Sequence, residues 1–335
     1  MKAYIQKLNH RENLTQSEIE AVMQEIMAGQ AAKDDVAAFL LALREKGPTV
    51  EEITGAARIM RRFVIGIKTR HQRILDTCGT GGDKKNTFNI STITAFVVAG
   101  AGVVVAKHGN RSVSSKCGSA DVLEAVGIKL DIEEQHLSEC LNEVGIAFLF
   151  AQKLHPAMKN VAPVRKALGV ETIFNVLGPL TNPAQATHQI MGVYSRDLVE
   201  PMAHVLKNLG LQRALVVHGS DGLDEITTTG RTDVSEYNGG EVISCDISPE
   251  ELGIPLAKPA DLVGGDLPTH VKIFESILNG RKGPQRDIVV VNAAYALYIA
   301  EQVKNIDEGI QAAQHSIDSG KARQKLEELK EFTNR

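Results

Sequence analysis

The sequence predicts an α/β protein in two parts: a small all-helical domain, then a larger domain whose central sheet is mostly parallel. Residues 1 to about 68 carry only helical patterns. From Arg73 onward, short apolar β-rich runs alternate with helical stretches, the order that parallel strands joined by right-handed crossovers require. A chain of 335 residues is long enough to bury a core in each part.

The elements follow in order. The run "TQSEIEAVMQEIMAG" opens with a capping box, Thr15 and Glu18, sets Ile19, Val22, Met23 and Ile26 on one face, and stops at Gly29. A second helix is predicted over "DDVAAFLLALREKG" and a third over "TVEEITGAARIMRRF", where Thr49 and Glu52 repeat the box. The alternating part begins with strand "RILDTC", helix "STITAFVVAGAG" and strand "VVVAKHG", and further strands are expected at "GIAFLF", "HQIMGVY" and "RALVVHG". A β-hairpin is expected at "TDVSEYNGGEVISC", turning at Asn238-Gly239. The last third returns to helix, most clearly in "RDIVVVNAAYALYIAEQV" and "GKARQKLEELKEF". No repeat or low-complexity linker separates the parts, so they are expected to pack together.

Composition narrows the function. The chain is 43% hydrophobic and 23% charged with net charge −4, which gives no basic surface for a nucleic-acid backbone. The N-terminus lacks the apolar core of an export signal, and no run of roughly eighteen apolar residues could cross a membrane. Cys78, Cys117, Cys140 and Cys245 stand too far apart for a zinc motif and read as reduced thiols of a cytoplasmic protein.

Three polar, glycine-bearing stretches follow predicted strands, where open parallel sheets bind ligands. The first, "DTCGTGGDKKNTFNIST", brings Gly79, Gly82 and Asp83, then Asn89, Ser91 and Thr92, to a helix N-terminus that Ser91 is expected to cap. It is neither a Walker loop nor a dinucleotide fingerprint. The second, "KHGNRSVSSKCGSAD", sets Lys107 and Arg111 among His108, Asn110, Ser112, Ser114, Ser115 and Ser119, which suits an anion with several oxygens. Ser119 is expected to cap the helix "ADVLEAVG". The third, "HGSDGLDEIT", supplies Asp221, Asp224 and Glu225, oxygen ligands of the kind that hold Mg²⁺ on a substrate phosphate. A carboxylate at Asp83 beside a phosphate loop needs such a cation. Together they imply a substrate with phosphate at more than one end, delivered as a magnesium complex.

At these residues the chain resembles the anthranilate phosphoribosyltransferase family. "DTCGTGGD", "TFNIST", "KHGNRSVSSKCGSADVLEAVG", "LHPAMKNVAPVRKALGVETIFNVLGPLTNP" and "HGSDGLDEIT" match in order and spacing, and the likeness covers essentially the whole chain. The resemblance implies a fold shared with pyrimidine nucleoside phosphorylases, with a discontinuous helical domain: 1–68 rejoined by 164–182, against an α/β domain of 73–163 and 188–335. It implies homodimers through the helical domain. The implied reaction is attack of the anthranilate amine on phosphoribosyl pyrophosphate with release of pyrophosphate, in tryptophan biosynthesis.

Roles follow from the same resemblance. Gly79, Gly82, Asp83, Thr87, Asn89, Ile90, Ser91 and Thr92, with Lys107, His108, Gly109, Asn110, Arg111, Ser112, Val113, Ser114, Ser115 and Ser119, would bind phosphoribosyl pyrophosphate. Gly79, Asn110 and Arg165 would contact anthranilate, with His108 and Pro179 lining that side. Ser91, Asp224 and Glu225 would hold two Mg²⁺ ions per subunit. No residue is assigned as general base or nucleophile. Positioning and charge neutralisation on the leaving group are expected to carry the reaction, without a covalent intermediate.

The side-chain chemistry agrees, since a guanidinium at Arg165 suits a planar carboxylate. His155 reads as a hydrogen-bonded structural histidine, and Cys78 and Cys117 as packing residues. Two alternatives stay open at this level. A pyrimidine nucleoside phosphorylase would share the fold, although its first loop resembles K-H-S-T-G-G rather than "TCGTGGD". A nucleic-acid-binding relative would need a basic groove and would lack Asp224, Glu225, Asn110 or Arg165.

Overall fold

The computed structural model describes residues 1–111 and 117–335. The chain opens with α1 (Lys2–Asn9), α2 (Gln16–Met27), α3 (Lys33–Lys46) and α4 (Val50–Arg62). Both expected capping boxes form: Thr15 and Thr49 accept the N–H of Glu18 and Glu52, whose carboxylates accept the N–H of Thr15 and Thr49 in return. Glu52 does more than cap. Fully buried, its carboxylate also accepts the Leu14 N–H at 2.8 Å and the Lys46 ammonium at 2.8 Å. One side chain thereby ties the α1–α2 connection and the end of α3 to the start of α4.

The alternating part runs β1 (Leu75–Gly79), α5 (Ile90–Gly100), β2 (Val105–Gly109), α6 (Ser119–Ala125), α7 (Glu134–Glu143) and β3 (Ile146–Phe150). Short helices α8 (Ala151–Leu154), α9 (Ala162–Leu168) and α10 (Phe174–Leu177) lead to β4 (His188–Gly192), α11 (Val199–Asn208), β5 (Arg213–Gly219) and the hairpin β6 (Thr232–Tyr237) and β7 (Val242–Ile247). Helices α12 (Leu267–Leu278), α13 (Pro284–Ile299), α14 (Ile306–Asp318) and α15 (Lys321–Thr333) complete the chain.

Among the described residues the strands form one seven-stranded sheet in the order β3-β2-β1-β4-β5-β6-β7. The first five are parallel, and β6 and β7 join antiparallel. The hairpin turn is longer than the expected dipeptide: Asn238 to Glu241 form it, with the Asn238 side-chain oxygen accepting the N–H groups of Gly240 and Glu241 at 3.0 and 3.1 Å. Chain order reverses direction between β1 and β4, the crevice where such sheets take ligands.

Strand alternation divides the core. On β5, Leu215 and Val217 face a core built around α5 and α13, whereas Ala214 and Val216 face one shared with α11. That second core continues into α1–α4 and takes in Ala157 through Leu180. No helix is long and apolar enough to cross a membrane among the described residues.

Because Glu52 gathers three donors in a buried place, its removal strands all of them. Glu52→Ala is expected to lower unfolding stability by about 3–5 kcal/mol, measured by urea denaturation; a loss below about 1 kcal/mol would mean that the junction holds without it.

Candidate active site

The first and third loops meet over the ends of β1 and β4. Gly79 and Gly192 are register partners there, and the acidic turn after β5 folds back across both. A Cβ at Gly192 would lie 1.6 Å from the Asp224 carbonyl oxygen, and one at Gly79 would lie 2.5 Å from Asp224 Oδ2. Only glycine leaves room for the turn at this distance. Asp224 Oδ2 accepts the Gly81 N–H at 2.9 Å, and Glu225 Oε1 accepts the Ser91 N–H at 3.1 Å. Behind the turn, Asn292 of α13 fixes its exit by accepting the Ile226 N–H at 3.1 Å and donating to the Ile226 carbonyl at 2.9 Å.

Two expectations need correction here. Ser91 does not cap α5: the helix begins at Ile90, Asn89 holds the N-cap position, and Glu225 supplies the acceptor from across the crevice. The Ser91 hydroxyl accepts instead from the Lys107 ammonium at 3.2 Å. Asp221 is not available as a ligand, because its carboxylate accepts from Thr227 Oγ1 at 2.7 Å, Thr229 Oγ1 at 2.5 Å and the Leu223 N–H at 3.1 Å. It shapes the turn that presents Asp224 and Glu225.

The carboxylates repel one another. Protein atoms crowd Asp224 and Glu225 although each keeps some exposure, and desolvation pushes their pKa up to about 7 and about 8. The neighbouring charges of Asp83 on Asp224, and of Asp224 on Glu225, add to the rise. Hard oxygen donors set against each other in this way fit Mg²⁺. Among the described residues no group of three or more His, Cys, Asp or Glu side chains is poised around one point.

The second loop leaves β2 beside them. Lys107, only 4% exposed, donates to the Thr77 carbonyl and to Ser91 Oγ, a strut beneath the α5 N-terminus. Burial pulls its pKa down against the attraction of Asp76, Cys78, Glu225 and Asp224. On the other face of β2, His108 Nε2 lies 3.0 Å from His155 Nε2, and burial holds the two rings neutral, with pKa values lowered to about 3 and about 4. His155 is thus the hydrogen-bonded histidine that the sequence suggests. Burial keeps the thiols of Cys78 and Cys117 protonated, in line with packing roles.

Ser119 does not cap α6. It is the helix's first residue after the N-cap Gly118, and its hydroxyl donates to the Asn110 carbonyl at 3.1 Å. The Asn110 side-chain oxygen accepts from the Arg111 N–H at 2.8 Å and from Gln152 at 3.2 Å. Arg111 turns to α6, pairing with Asp121 at 2.7 Å and Glu124 at 2.6 Å. At Gly109 a Cβ would press on Phe148 and Ser119 Oγ. Ile90 and Thr92 are buried, so their side chains face the core. Ser112, Val113, Ser114 and Ser115 lie outside the described residues.

Arg165 sits apart from this cluster. On α9, its guanidinium carbon lies 5.4 Å from the Phe174 ring centroid, and Nη2 is 3.4 Å from Asn175 Oδ1. Burial lowers its pKa, and among the described residues it forms no ion pair and no hydrogen bond to Asn110 or Gly79. The connection runs through α10 to Pro179, whose carbonyl accepts from Gln189 of β4 at 2.7 Å.

Sequence reasoning missed a buried support. Asp76, fully buried in β1, accepts the His108 N–H at 3.1 Å and the Asn182 side-chain amide at 2.8 Å. Burial raises its pKa to about 6, opposed by those bonds and by Lys107. A charged residue within the apolar run "RILDTC" is the local signal that could have marked it.

A crevice over the ends of β1 and β4, where loop N–H groups meet two carboxylates, suits a phosphate-bearing substrate carried with a divalent cation, and the matching families are those of glycosyl transferases. Residues 2–64 match the glycosyl transferase family helical bundle domain and residues 71–323 the glycosyl transferase family a/b domain. The chain belongs to the anthranilate phosphoribosyltransferase family. A relative of that name from Acetivibrio thermocellus is 54% identical over 334 residues, spanning 100% of this chain and 97% of its own. One from Symbiobacterium thermophilum is 53% identical, spanning 100% of this chain and 98% of its own. The crystal structure of the Thermus thermophilus enzyme superposes with TM-score 0.94 at 40% identity, covering 99% of each chain. The Saccharomyces cerevisiae enzyme in complex with PRPP and Mg superposes with TM-score 0.91 at 28% identity, covering 99% of this chain and 97% of that one.

Gly192→Ala drives a methyl group into the Asp224 backbone. It is expected to cost about 1–3 kcal/mol or more in stability, as overpacking does, measured by thermal and urea unfolding; a neutral result would show that the acidic turn can move away from β4.

Proposed function

We propose that the chain transfers the 5-phosphoribosyl group of phosphoribosyl pyrophosphate to the amine of anthranilate, giving N-(5-phosphoribosyl)anthranilate and pyrophosphate. This is the second step of tryptophan biosynthesis from chorismate. The observation that carries the reading is the pairing of Asp224 with the Gly81 N–H and of Glu225 with the Ser91 N–H. It sets cation ligands beside oxyanion donors, as a magnesium–pyrophosphate leaving group needs. The yeast relative's complex with PRPP and Mg, and another with 4-fluoroanthranilate, support the substrate pair.

In this reading the amine lone pair forms the new C–N bond at the anomeric carbon as the bond to the pyrophosphate oxygen breaks, and the amine then releases a proton. An aromatic amine is already unprotonated at neutral pH, so no base is needed to start the attack. Asp224, Glu225 and Ser91 would hold Mg²⁺, two ions per subunit, which offsets the charge that develops on pyrophosphate. Gly79, Gly82, Asp83, Thr87 and Asn89 would line the pyrophosphate side. Lys107, from below, keeps Ser91 in place and adds positive charge at depth. Arg165, partly desolvated and held by Asn175 at 3.4 Å but without an acidic partner among the described residues, would offer its guanidinium to the anthranilate carboxylate.

The same proposal covers the assembly. The rejoining of 1–68 by 164–182, against 73–163 with 188–335, is supported by the packing of Leu8–Met60 with Val164–Leu180 in one apolar core, which also takes in Ala157 and Val161 and reaches β4, α11 and β5. A homodimer through the helical domain would cover Leu41 of α3, which is 42% exposed. The enzyme would work in the cytoplasm.

Consumption of anthranilate fluorescence should require both phosphoribosyl pyrophosphate and Mg²⁺ and stop on chelation; no turnover with metal present would overturn the reading. Arg165→Ala is expected to raise the KM for anthranilate roughly 10- to 100-fold, the worth of a charge-assisted hydrogen bond, while leaving that for phosphoribosyl pyrophosphate near its original value. Asp224→Asn should raise the Mg²⁺ concentration needed for half-maximal rate, read from a metal titration. The reverse pattern would mean that the two roles are exchanged.

A further inference from the structure

We propose that His270 is a positioning residue for phosphoribosyl pyrophosphate, acting through Asn89; this rests on Asn89 contacting that substrate. Asn89 stands at the N-cap of α5, where an asparagine oxygen ordinarily accepts an N–H of the first helical turn. Here it makes no such bond, and its backbone (φ −74°, ψ 72°) departs from the extended form of a typical cap. The carboxamide oxygen is taken instead by His270 Nδ1 at 2.7 Å, across 181 positions of sequence. With its oxygen held there, the amide's NH₂ group turns toward the second loop, 3.4 Å from the Cys117 carbonyl. The imidazole thus keeps Asn89 off the helix end and fixes the direction of its amide, one N–H of which goes to the Cys117 carbonyl while the other has no partner among the described residues. It also leaves the Ser91 N–H to Glu225.

His270 is built to hold that direction. It is 5% exposed and lies in the first turn of α12, whose N-cap Asp266 accepts the Thr269 N–H at 3.1 Å. The chain just before α12 clasps the first loop on the same side. Thr87 bridges Val263, the Phe88 N–H reaches the Leu262 carbonyl at 3.3 Å, and the Gly264 N–H reaches the Asn86 carbonyl at 2.9 Å. At Gly264 a Cβ would lie 2.5 Å from His270 Nε2 and 3.0 Å from the Thr87 carbonyl oxygen, so glycine lets the ring and the loop close on each other. A residue far from the three glycine loops in sequence therefore sets the direction of one of their side chains.

The test is a double-mutant cycle on the whole enzyme with His270→Ala, His270→Gln, Asn89→Ala and the pair His270→Ala/Asn89→Ala. Steady-state kinetics at saturating Mg²⁺, calorimetric titration with phosphoribosyl pyrophosphate and thermal unfolding are read for each. His270→Ala is expected to raise the Kd and KM for phosphoribosyl pyrophosphate roughly 3- to 15-fold, the worth of one hydrogen bond, with the anthranilate KM within about twofold. His270→Gln, which can still donate, should recover part of the loss. In the Asn89→Ala background, removing His270 should weaken binding no further. A lowered melting temperature with unchanged Kd in His270→Ala, or additive effects in the cycle, would overturn the proposal. Normal binding by Asn89→Ala would overturn the role of Asn89 itself, and is told apart from the other failure by that single variant.

Discussion

Everything in the crevice depends on how closely the turn after β5 approaches the ends of β1 and β4. The contact is backbone against backbone: the Asp224 carbonyl lies where a Gly192 side chain would begin. That approach brings two carboxylates within reach of the Gly81 and Ser91 amides, and it occurs at the one place in the sheet where chain order reverses. Burial and mutual repulsion push Asp224 and Glu225 to pKa values of about 7 and about 8. The fold tolerates this because the rest of the turn is well satisfied, with Asp221 closing it on Thr227 and Thr229 and Asn292 anchoring Ile226. The electrostatic cost falls on the two carboxylates that line the crevice, which is where function and stability commonly conflict.

Below this surface a polar layer keeps the loops in register. Adjacent residues of β2 point to opposite faces, so Lys107 reaches the α5 side and His108 the side of His155. Asp76 of β1 links the two by accepting the His108 N–H, and Asn182 closes the arrangement by donating both to Asp76 and to the Ala106 carbonyl. Asn182 follows directly on the segment that packs with the helical lobe. A shift of that lobe would therefore reach β1 and β2 through hydrogen bonds as well as through apolar contact.

What could be read from the sequence was whatever local chemistry decides. The capping boxes at Thr15 and Thr49 formed because donor, acceptor and helix start lie within one turn, and the apolar runs of β1 to β5 became strands because each is short and bounded by polar glycine segments. Where a distant partner competed, local rules failed. Ser91 and Ser119 have the right chemistry for caps, yet Glu225 accepts the Ser91 N–H, and Gly118 holds the N-cap position of α6 while the Ser119 hydroxyl goes to the Asn110 carbonyl. Asp76 and Asn182 are 106 positions apart, and Asn89 and His270 181; nothing in either short stretch specifies the other. The hairpin is an intermediate case, since its turn residues were legible but its length depended on the pairing of Tyr237 with Val242.

The hydrogen bonds of the two carboxylates also bear on how the proposed substrate and cation would enter. An N–H group donates one strong hydrogen bond at a time, and those of Gly81 and Ser91 are already given to Asp224 and Glu225. A phosphate oxygen that needs either donor must displace a carboxylate, and a displaced carboxylate in this crowded place is stable only if a cation meets it. Conversely, a cation that draws the carboxylates toward itself leaves two amides without an acceptor, which an anion then satisfies. In the proposed reading each ligand would remove the cost of admitting the other, so their affinities would be linked, and the linkage would be reciprocal. The carboxylate at Asp83, whose charge already acts on Asp224, would belong to the same balance: it would repel a phosphate without a cation and cease to do so with one.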